Sequence, residues 1–509
     1  MIELEKNSRI RIANDKPFLL ERPILLYWMQ ANRRLAWNHS LDYAILLAQK
    51  LDKELVVYEG LRMDYLWNSS RIHKFILEGF IDNYSEASKL GINYWSFLET
   101  KNNPAKGILK KVSTLACAIV TDDFPCFIIP EQIKKLSEKI ECKLIAVDGN
   151  SINPIGSYGN FASAARILRP RMHKQFTENY IKRANPVYSK SKLAALNKTK
   201  ISPPFLHWSG SEKELFNCLN EISFANNIPS YSSVRGGRKE GLRILNDFIE
   251  KKLFRYATDR SNPSDPNHVA VSSLSPYLHF GYISAEEVIT AVLDSCEMIT
   301  TKGKSSQWAP DRLNFSFQGK NQNFFSSIPS IDSFLDELIT WRDIGYQLFW
   351  QKPEFRKGLE CLPDWAKNNF EIHKKDKREF NYTREEWVLG KTHDPIWNSA
   401  QKELYSTGRM HNYMRMLWGK KIIEWSPSIE DAYNLMEDLN NLYAYDGRNP
   451  NSYSGILWCF GLFDRPWFPE RNVLGNVRYM SSDSTRKKFK LTTYLNYVEK
   501  ISNPQGVLF

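Results

Sequence analysis

The 509 residues predict an N-terminal α/β domain, with a doubly wound, Rossmann-like parallel sheet, joined by a long linker to an all-α C-terminal domain. Three observations carry this. Short apolar runs alternate with helical patterns from Pro23 to Asp148. A loop-rich and then strongly basic stretch follows, and beyond His207 the apolar period is helical to the C-terminus. On that basis residues 1–22 are an N-terminal extension, 23–165 the α/β domain, 166–210 a basic interdomain linker and 211–509 the helical domain.

Residues 24–28 (ILLYW) read as a buried strand, 41–51 as a helix and 54–58 (ELVVY) as a second strand. A helix over 72–90 and strands over 92–97, 115–120 and 145–148 complete the alternation. Parallel strands joined by helices bury both faces of a sheet, so each strand is apolar throughout. No GxGxxG follows any strand, which excludes the nicotinamide-dinucleotide fingerprint. Asp122 and Asp123 close one strand, where a carboxylate either meets a ligand or caps the loop.

From Arg166 to Lys200 the linker carries ten Lys or Arg against Glu178 alone, which predicts a solvated basic surface or a contact with DNA. The whole chain has a formal net charge of +12, compatible with a polyanionic partner. Seven scattered cysteines without a CxxC pair argue against zinc or an iron–sulfur cluster and for a reducing compartment. The polar start, MIELEKNSRIRIANDK, has no signal-peptide core, and no apolar run approaches membrane-spanning length. A soluble intracellular protein is expected, in cytoplasm, nucleoid or nucleus, monomeric and without a membrane partner.

In the helical half, YATDRSNPSDPNHVAVSSLSPYLHFGYIS places Ser272, Ser273 and Ser275 before a predicted helix. Hydroxyls and backbone N–H groups at a helix start either cap the helix or hold a diphosphate. Residues 300–330 are polar, without a clear period, and read as an inserted loop. The segment 410–425 is a helix by its apolar spacing, with Trp418 and Trp425 seven residues apart and so on one side, roughly 10 Å apart along the axis. Trp397 lies 21 residues before Trp418, and taken alone the three are ordinary core aromatics.

TGRMHNYMRMLWGKKIIEW and DGRNPNSYSGILW resemble the flavin-binding core of the cryptochrome/photolyase family, specifically the class II cyclobutane-pyrimidine-dimer photolyases. WMQANRRLAWN, VTDDFP and LSPYLHFG extend the resemblance to nearly the whole chain. It implies an antenna domain, then an FAD-binding domain acting on UV-damaged DNA: light-excited reduced FAD passes one electron to a flipped-out dimer, which splits. The cofactor implied is FAD, and the antenna domain has room for a second chromophore of deazaflavin or folate type. Carried over residue by residue, the resemblance assigns Tyr256, Ser272, Ser273, Leu274 and Ser275 to the FAD phosphates. Arg415 and Asp446 go to the isoalloxazine edge, Asn440 to flavin N5, and Arg448 approaches the cofactor.

For substrate it assigns Glu337 and Trp341 from FLDELITW, Asn412 and Met416 from HNYMRM, and Trp458 from GILW. The (6-4) photolyases place histidines where Asn412 and Met416 stand, which favours cyclobutane dimers as substrate. Trp418, Trp397 and Trp425 become an electron-transfer chain, in that order outward from the flavin. Two stretches, CFGLFDRPW with Phe463 in place of a histidine and RDIGYQLFW with Gly345, depart from the class II wording. The alternatives are a cryptochrome-like blue-light photoreceptor without repair activity, a (6-4) photolyase, or a generic nucleotide-binding α/β protein with a helical appendix.

Overall fold

The computed structural model describes residues 8–182, 193, 196, 201–208, 210–222, 224, 226, 228, 234–264, 270–300, 313–353 and 358–502. Arg183, Lys190, Lys192, Lys198 and Lys200 of the basic linker, and residues 301–312 of the expected insert, lie outside them.

Six strands form one sheet: β1 (Ile10–Ile12), β2 (Ile24–Met29), β3 (Glu54–Leu61), β4 (Asn93–Leu98), β5 (Ala116–Asp122) and β6 (Lys143–Val147). Their order is β1-β6-β5-β2-β3-β4, parallel throughout except for β1 against β6. Along β2, Leu25, Tyr27 and Met29 pack on one side with helix α1 (His39–Leu51). Ile24, Leu26 and Trp28 pack on the other, with Ile133 and Leu136 of the helix Ile129–Lys139. This is the doubly wound arrangement the apolar strands predict. The N-terminal extension is different from expectation. Ile10 pairs with Val147, and the Arg9 guanidinium donates to the carbonyls of Ser151 (2.9 Å) and Ile152 (2.6 Å), so part of residues 1–22 belongs to the sheet.

The linker also departs from a loop. Its first half is helix α3 (Ala165–Lys182), which carries Pro170 and buries Leu168, Met172 and Phe176 against the helical domain. Arg169 is buried there too, paired with Asp336, so it is no part of a solvated surface. Of the insert, Leu313, Phe324, Phe325 and Ser330 are buried: Phe324 stacks on His173 at 3.6 Å, and Asp332 accepts the backbone N–H groups of Asn323 (2.6 Å) and Phe325 (2.9 Å).

Helices make the remainder. Those used below are α4 (Pro329–Asp336), α5 (Arg342–Gln351), α6 (Pro395–Thr407), α7 (Asn412–Trp425), α8 (Ile429–Tyr443) and α9 (Pro450–Cys459). The two domains meet along helix α2 (Ser70–Leu90) of the first. Phe75 packs on Tyr282 and Tyr445, with ring centroids 5.6 and 4.8 Å away, and Gly236 runs so close that a Cβ would stand 1.8 Å from the Phe75 carbonyl. Arg71, 1 % exposed, donates to the carbonyls of Leu404, Tyr405 and Ser406 at the end of α6 and of Tyr443 at the end of α8. A cation at two helix C-termini meets orphan carbonyls and the negative ends of both dipoles.

Among the described residues the cysteines are free, no group of His, Cys, Asp or Glu could hold a metal ion, and no helix is long and apolar enough to cross a membrane.

Candidate active site

Helix α7 begins at His411, whose ring accepts the Tyr413 N–H, and buries Met414, Leu417, Trp418, Ile422, Ile423 and Trp425. Helix α6 is fixed by Asp394, whose carboxylate accepts the N–H groups of Ile396 and Trp397, and is stopped by left-handed Gly408. The crossing of α6 and α7 brings the three tryptophans together. The Trp397 indole donates to the Trp418 carbonyl (3.1 Å), and the Trp418 indole to Gln401 (2.9 Å). The rings of Trp397 and Trp425 are 6.2 Å apart. Trp387, which the sequence reading passed over, lies 4.9 Å from Trp397 and 6.1 Å from Trp425, making a contiguous aromatic tract.

On α7, three residues before Trp418, stands Arg415, 3.1 Å from Asp446. The pair is half-buried instead of sealed, with side chains 28 % and 19 % exposed. Burial opposes charge on Asp446, but Arg415 and the Ser275 hydroxyl outweigh it and hold the carboxyl below its ordinary range. Ser275 is exposed, Ser272 and Ser273 partly so, and Ser273 adopts a left-handed φ of 57°. Leu274 turns its side chain into the core. Asn440 on α8 is buried, its amide donating to Ser452 (2.5 Å) and Asn441 (3.3 Å). The Arg448 guanidinium donates to the Asn441 and Ala444 carbonyls at the end of α8, and Arg448 lines a cavity described below.

Glu337 and Trp341 bound a single π-helical turn, Glu337–Trp341, between α4 and α5, in which the Arg342 N–H reaches back to the Glu337 carbonyl. The α-helical face expected from their spacing is therefore modified by an i→i+5 turn, a feature common at functional sites. Glu337 meets Arg260 at 2.6 Å, a partner the sequence reading missed because the pairing is purely tertiary. Burial raises the Glu337 pKa, and the Arg260 charge only partly reverses this. Arg260 also covers Tyr256, 5.3 Å from its ring, so Tyr256 sits with Glu337 and Arg260. The Trp341 and Trp458 rings stack at 5.0 Å and 19°, both partly open, while on α7 Asn412 is exposed and Met416 half-buried. Gly455, three residues before Trp458 and on its face of α9, has open space where a Cβ would be.

A cavity of about 840 Å³ opens in the first domain among Trp28, Tyr58, Tyr65 and Phe124, with Lys106, Lys110 and Lys139 lining it and His279, Phe280 and Arg448 contributed by the second domain. Asp122 is a loop cap: it accepts the N–H groups of Gln30, Ala31 and Asn32 at 2.8 to 2.9 Å, and Asp123 pairs with Arg11. After α9, Trp467 is held between the guanidinium groups of Arg465 (4.6 Å) and Arg478 (4.2 Å), beside Phe468, which is 79 % exposed.

No protein-family profile matches the chain. A deoxyribodipyrimidine photo-lyase of Methanothermobacter thermautotrophicus is 31 % identical over 492 residues, covering 96 % of this chain and 98 % of that one. The chain belongs to the photolyase/cryptochrome family. Among solved structures, a class III photolyase from Agrobacterium tumefaciens superposes with a TM-score of 0.61 at 17 % identity, covering 96 % of this chain and 90 % of the other. An archaeal photolyase from Sulfolobus tokodaii, described with two FAD molecules, gives 0.57 at 17 %, covering 95 % and 94 %. At that identity the likeness concerns the fold, and it matches the α/β and helical layout found here.

One of the two departures of this photolyase/cryptochrome chain from class II wording, Gly345, has a packing reason. A Cβ at Gly345 would stand 2.7 Å from Asn451 and 2.8 Å from Ser454, so glycine lets α5 lie against α9, which carries Trp458. Phe463 adopts a left-handed φ of 63° in the turn after α9, its ring 6.5 Å from Phe161.

Proposed function

We propose that this chain is a light-dependent DNA-repair enzyme of the class II type that splits cyclobutane pyrimidine dimers. The observation that carries the reading is the partly open Trp341–Trp458 stack on the helices next to Glu337, a broad aromatic floor with one carboxyl at its edge. A dimer extruded from duplex DNA loses base stacking, and aromatic faces replace it at about 1–3 kcal/mol per base. Glu337, whose pKa burial raises against the pull of Arg260, addresses the pyrimidine edge, donating to a carbonyl when protonated and accepting from an N3–H when charged, and Arg260 fixes its orientation. Asn412 hydrogen bonds and Met416 offers a polarizable contact on the facing helix, in place of the histidines that proton-transferring (6-4) repair uses.

FAD fits the donor set. Hydroxyls of Ser272, Ser273 and Ser275 suit a diphosphate, and the half-buried Arg415 suits an anionic ring edge. When bound and reduced, FAD supplies the electron on illumination. Arg415 and Asp446 orient the ring, Asn440 addresses its N5 side without imposing a protonation state, and the tract Trp418–Trp397–Trp425 conducts the electron that restores the reduced state. A second chromophore fits the 840 Å³ cavity, whose aromatic walls and lysines suit a planar molecule with an anionic tail. The Arg465, Trp467 and Arg478 cluster fits the DNA partner, combining phosphate attraction with a stacking surface.

The test is an absorption spectrum of the purified protein, then illumination with a thymine-dimer oligonucleotide. A flavin spectrum and light-dependent return of intact thymines support the reading. A flavin that is photoreduced while the dimer persists with pre-reduced protein refutes repair and favours the photoreceptor alternative.

A further inference from the structure

The linker helix reaches the floor of the proposed substrate site. Arg169 of α3 makes a bidentate pair with Asp336, the last residue of α4: its Nε is 2.8 Å from Oδ1 and its terminal nitrogen 2.9 Å from Oδ2. Both side chains are nearly closed to solvent, at 7 % and 11 % exposed. The same Oδ1 accepts the hydroxyl of Thr340 at 2.7 Å. Asp336 precedes the π-helical turn and Thr340 is its fourth residue, so this one carboxylate spans most of the turn and ties it to the linker.

The turn needs such a staple. An i→i+5 turn is rare because it adds a residue to the helical repeat, and reverting to regular helix rotates everything after it by one residue, about 100°. Trp341 would then swing away from Trp458 while Glu337 stayed near its place. Arg169 supplies what the turn lacks, a fixed fork from a second element that accepts only one register of the Asp336 carboxylate. A buried pair of this kind contributes little net stability, which leaves specificity of conformation as its use.

We propose that Arg169 is a positioning residue for substrate recognition: through Asp336 and Thr340 it locks the π turn that sets Trp341 on Trp458 beside Glu337. The proposal rests on the reading of that stack as the dimer site, but its first test does not. Two stacked indoles give an exciton couplet in far-UV circular dichroism, readable in protein without DNA, and Trp341→Phe defines the baseline. Arg169→Gln should remove most of the couplet, Arg169→Lys, which keeps the charge but not the fork, should restore only part of it, and Thr340→Val, nearly isosteric, should weaken it. In binding, Arg169→Gln should lose at least tenfold affinity for a thymine-dimer duplex while its affinity for the undamaged duplex changes less than twofold. A couplet unchanged in both Arg169→Gln and Thr340→Val overturns the proposal, as does an Arg169→Gln protein that loses both duplexes equally. If wild-type protein shows the couplet but no preference for the dimer, the dimer-site reading fails while the couplet series still decides the role of Arg169. Should Arg169→Gln fail to fold, Thr340→Val and Arg169→Lys carry the comparison.

Discussion

Asp343, one residue into α5, offers a sharp test of how the two domains are joined. Its carboxylate is fully buried and accepts the hydroxyls of Ser151 and Tyr158, each at 2.5 Å, both from the connector that leaves the first domain. Burial raises its pKa from 3.8 to about 6, against the opposing pull of Arg342 and the two hydroxyls, with Asp148 adding to the rise. Between those values the folded protein keeps a proton that the unfolded chain has released. Stability is therefore lost as pH rises from about 4 to about 6, and the cost is fully in place above that. At 1.36 kcal/mol per pH unit the difference between 3.8 and about 6 amounts to about 3 kcal/mol. Asp343→Asn is neutral at every pH, and its carbonyl can still accept both hydroxyls. Relative to wild type, the variant should gain about 2–3 kcal/mol between pH 4 and 7.5, measured as the change in urea-unfolding free energy followed by tryptophan fluorescence. A stability difference constant within about 0.5 kcal/mol across that range refutes the account of Asp343 as a carboxyl protonated by burial.

Other outcomes follow from the same geometry. Arg71→Met leaves the carbonyls ending α6 and α8 without their donor, and should destabilise the protein by about 3–5 kcal/mol, seen in a lowered urea midpoint. Trp341→Ala removes half of the aromatic floor and should weaken binding of a dimer-containing duplex by about 1–3 kcal/mol, or roughly 5- to 150-fold, by titration calorimetry. Trp397→Phe should slow light-driven reduction of bound flavin at least tenfold while chemically pre-reduced protein repairs at the wild-type rate; equal loss of both would rule out the tract's role. Lys420, buried with its ammonium on the Cys459 carbonyl, has a pKa lowered by burial to about 8, so stability should rise as pH climbs from 8 toward 10.5, and Lys420→Met should flatten that rise.

The strands were legible because burial on both faces leaves runs such as ILLYWM without a polar residue, and the alternation of Leu25 and Tyr27 against Leu26 and Trp28 then follows from the pleat. Helix α7 was legible from its apolar spacing, its start shifted only from Met410 to Asn412 because His411 supplies the cap. Motif resemblance located Trp341 and Trp458, but no local signal said that their rings touch, since they sit on separate helices brought together where Gly345 lets α5 approach α9. The π turn was hidden for a related reason: nothing in ELITW marks it locally, and the Arg169–Asp336 pair beside it joins residues far apart in the chain. The basic linker was read by charge, whereas Leu168, Met172 and Phe176 at helical spacing were the signal that it packs.

The short first strand has a practical meaning beyond the sheet it completes. With only three residues, half exposed and one of them the Arg11 that pairs with Asp123, it shields the outer edge of β6. A chain trimmed to begin at Pro23 would bare that edge, a row of unpaired backbone donors and acceptors on an apolar strand, and would also strip Arg9 from the carbonyls it holds. Such a protein would present a template for self-association through β6, and preparations meant to isolate the minimal domain should precipitate where the longer chain stays dispersed.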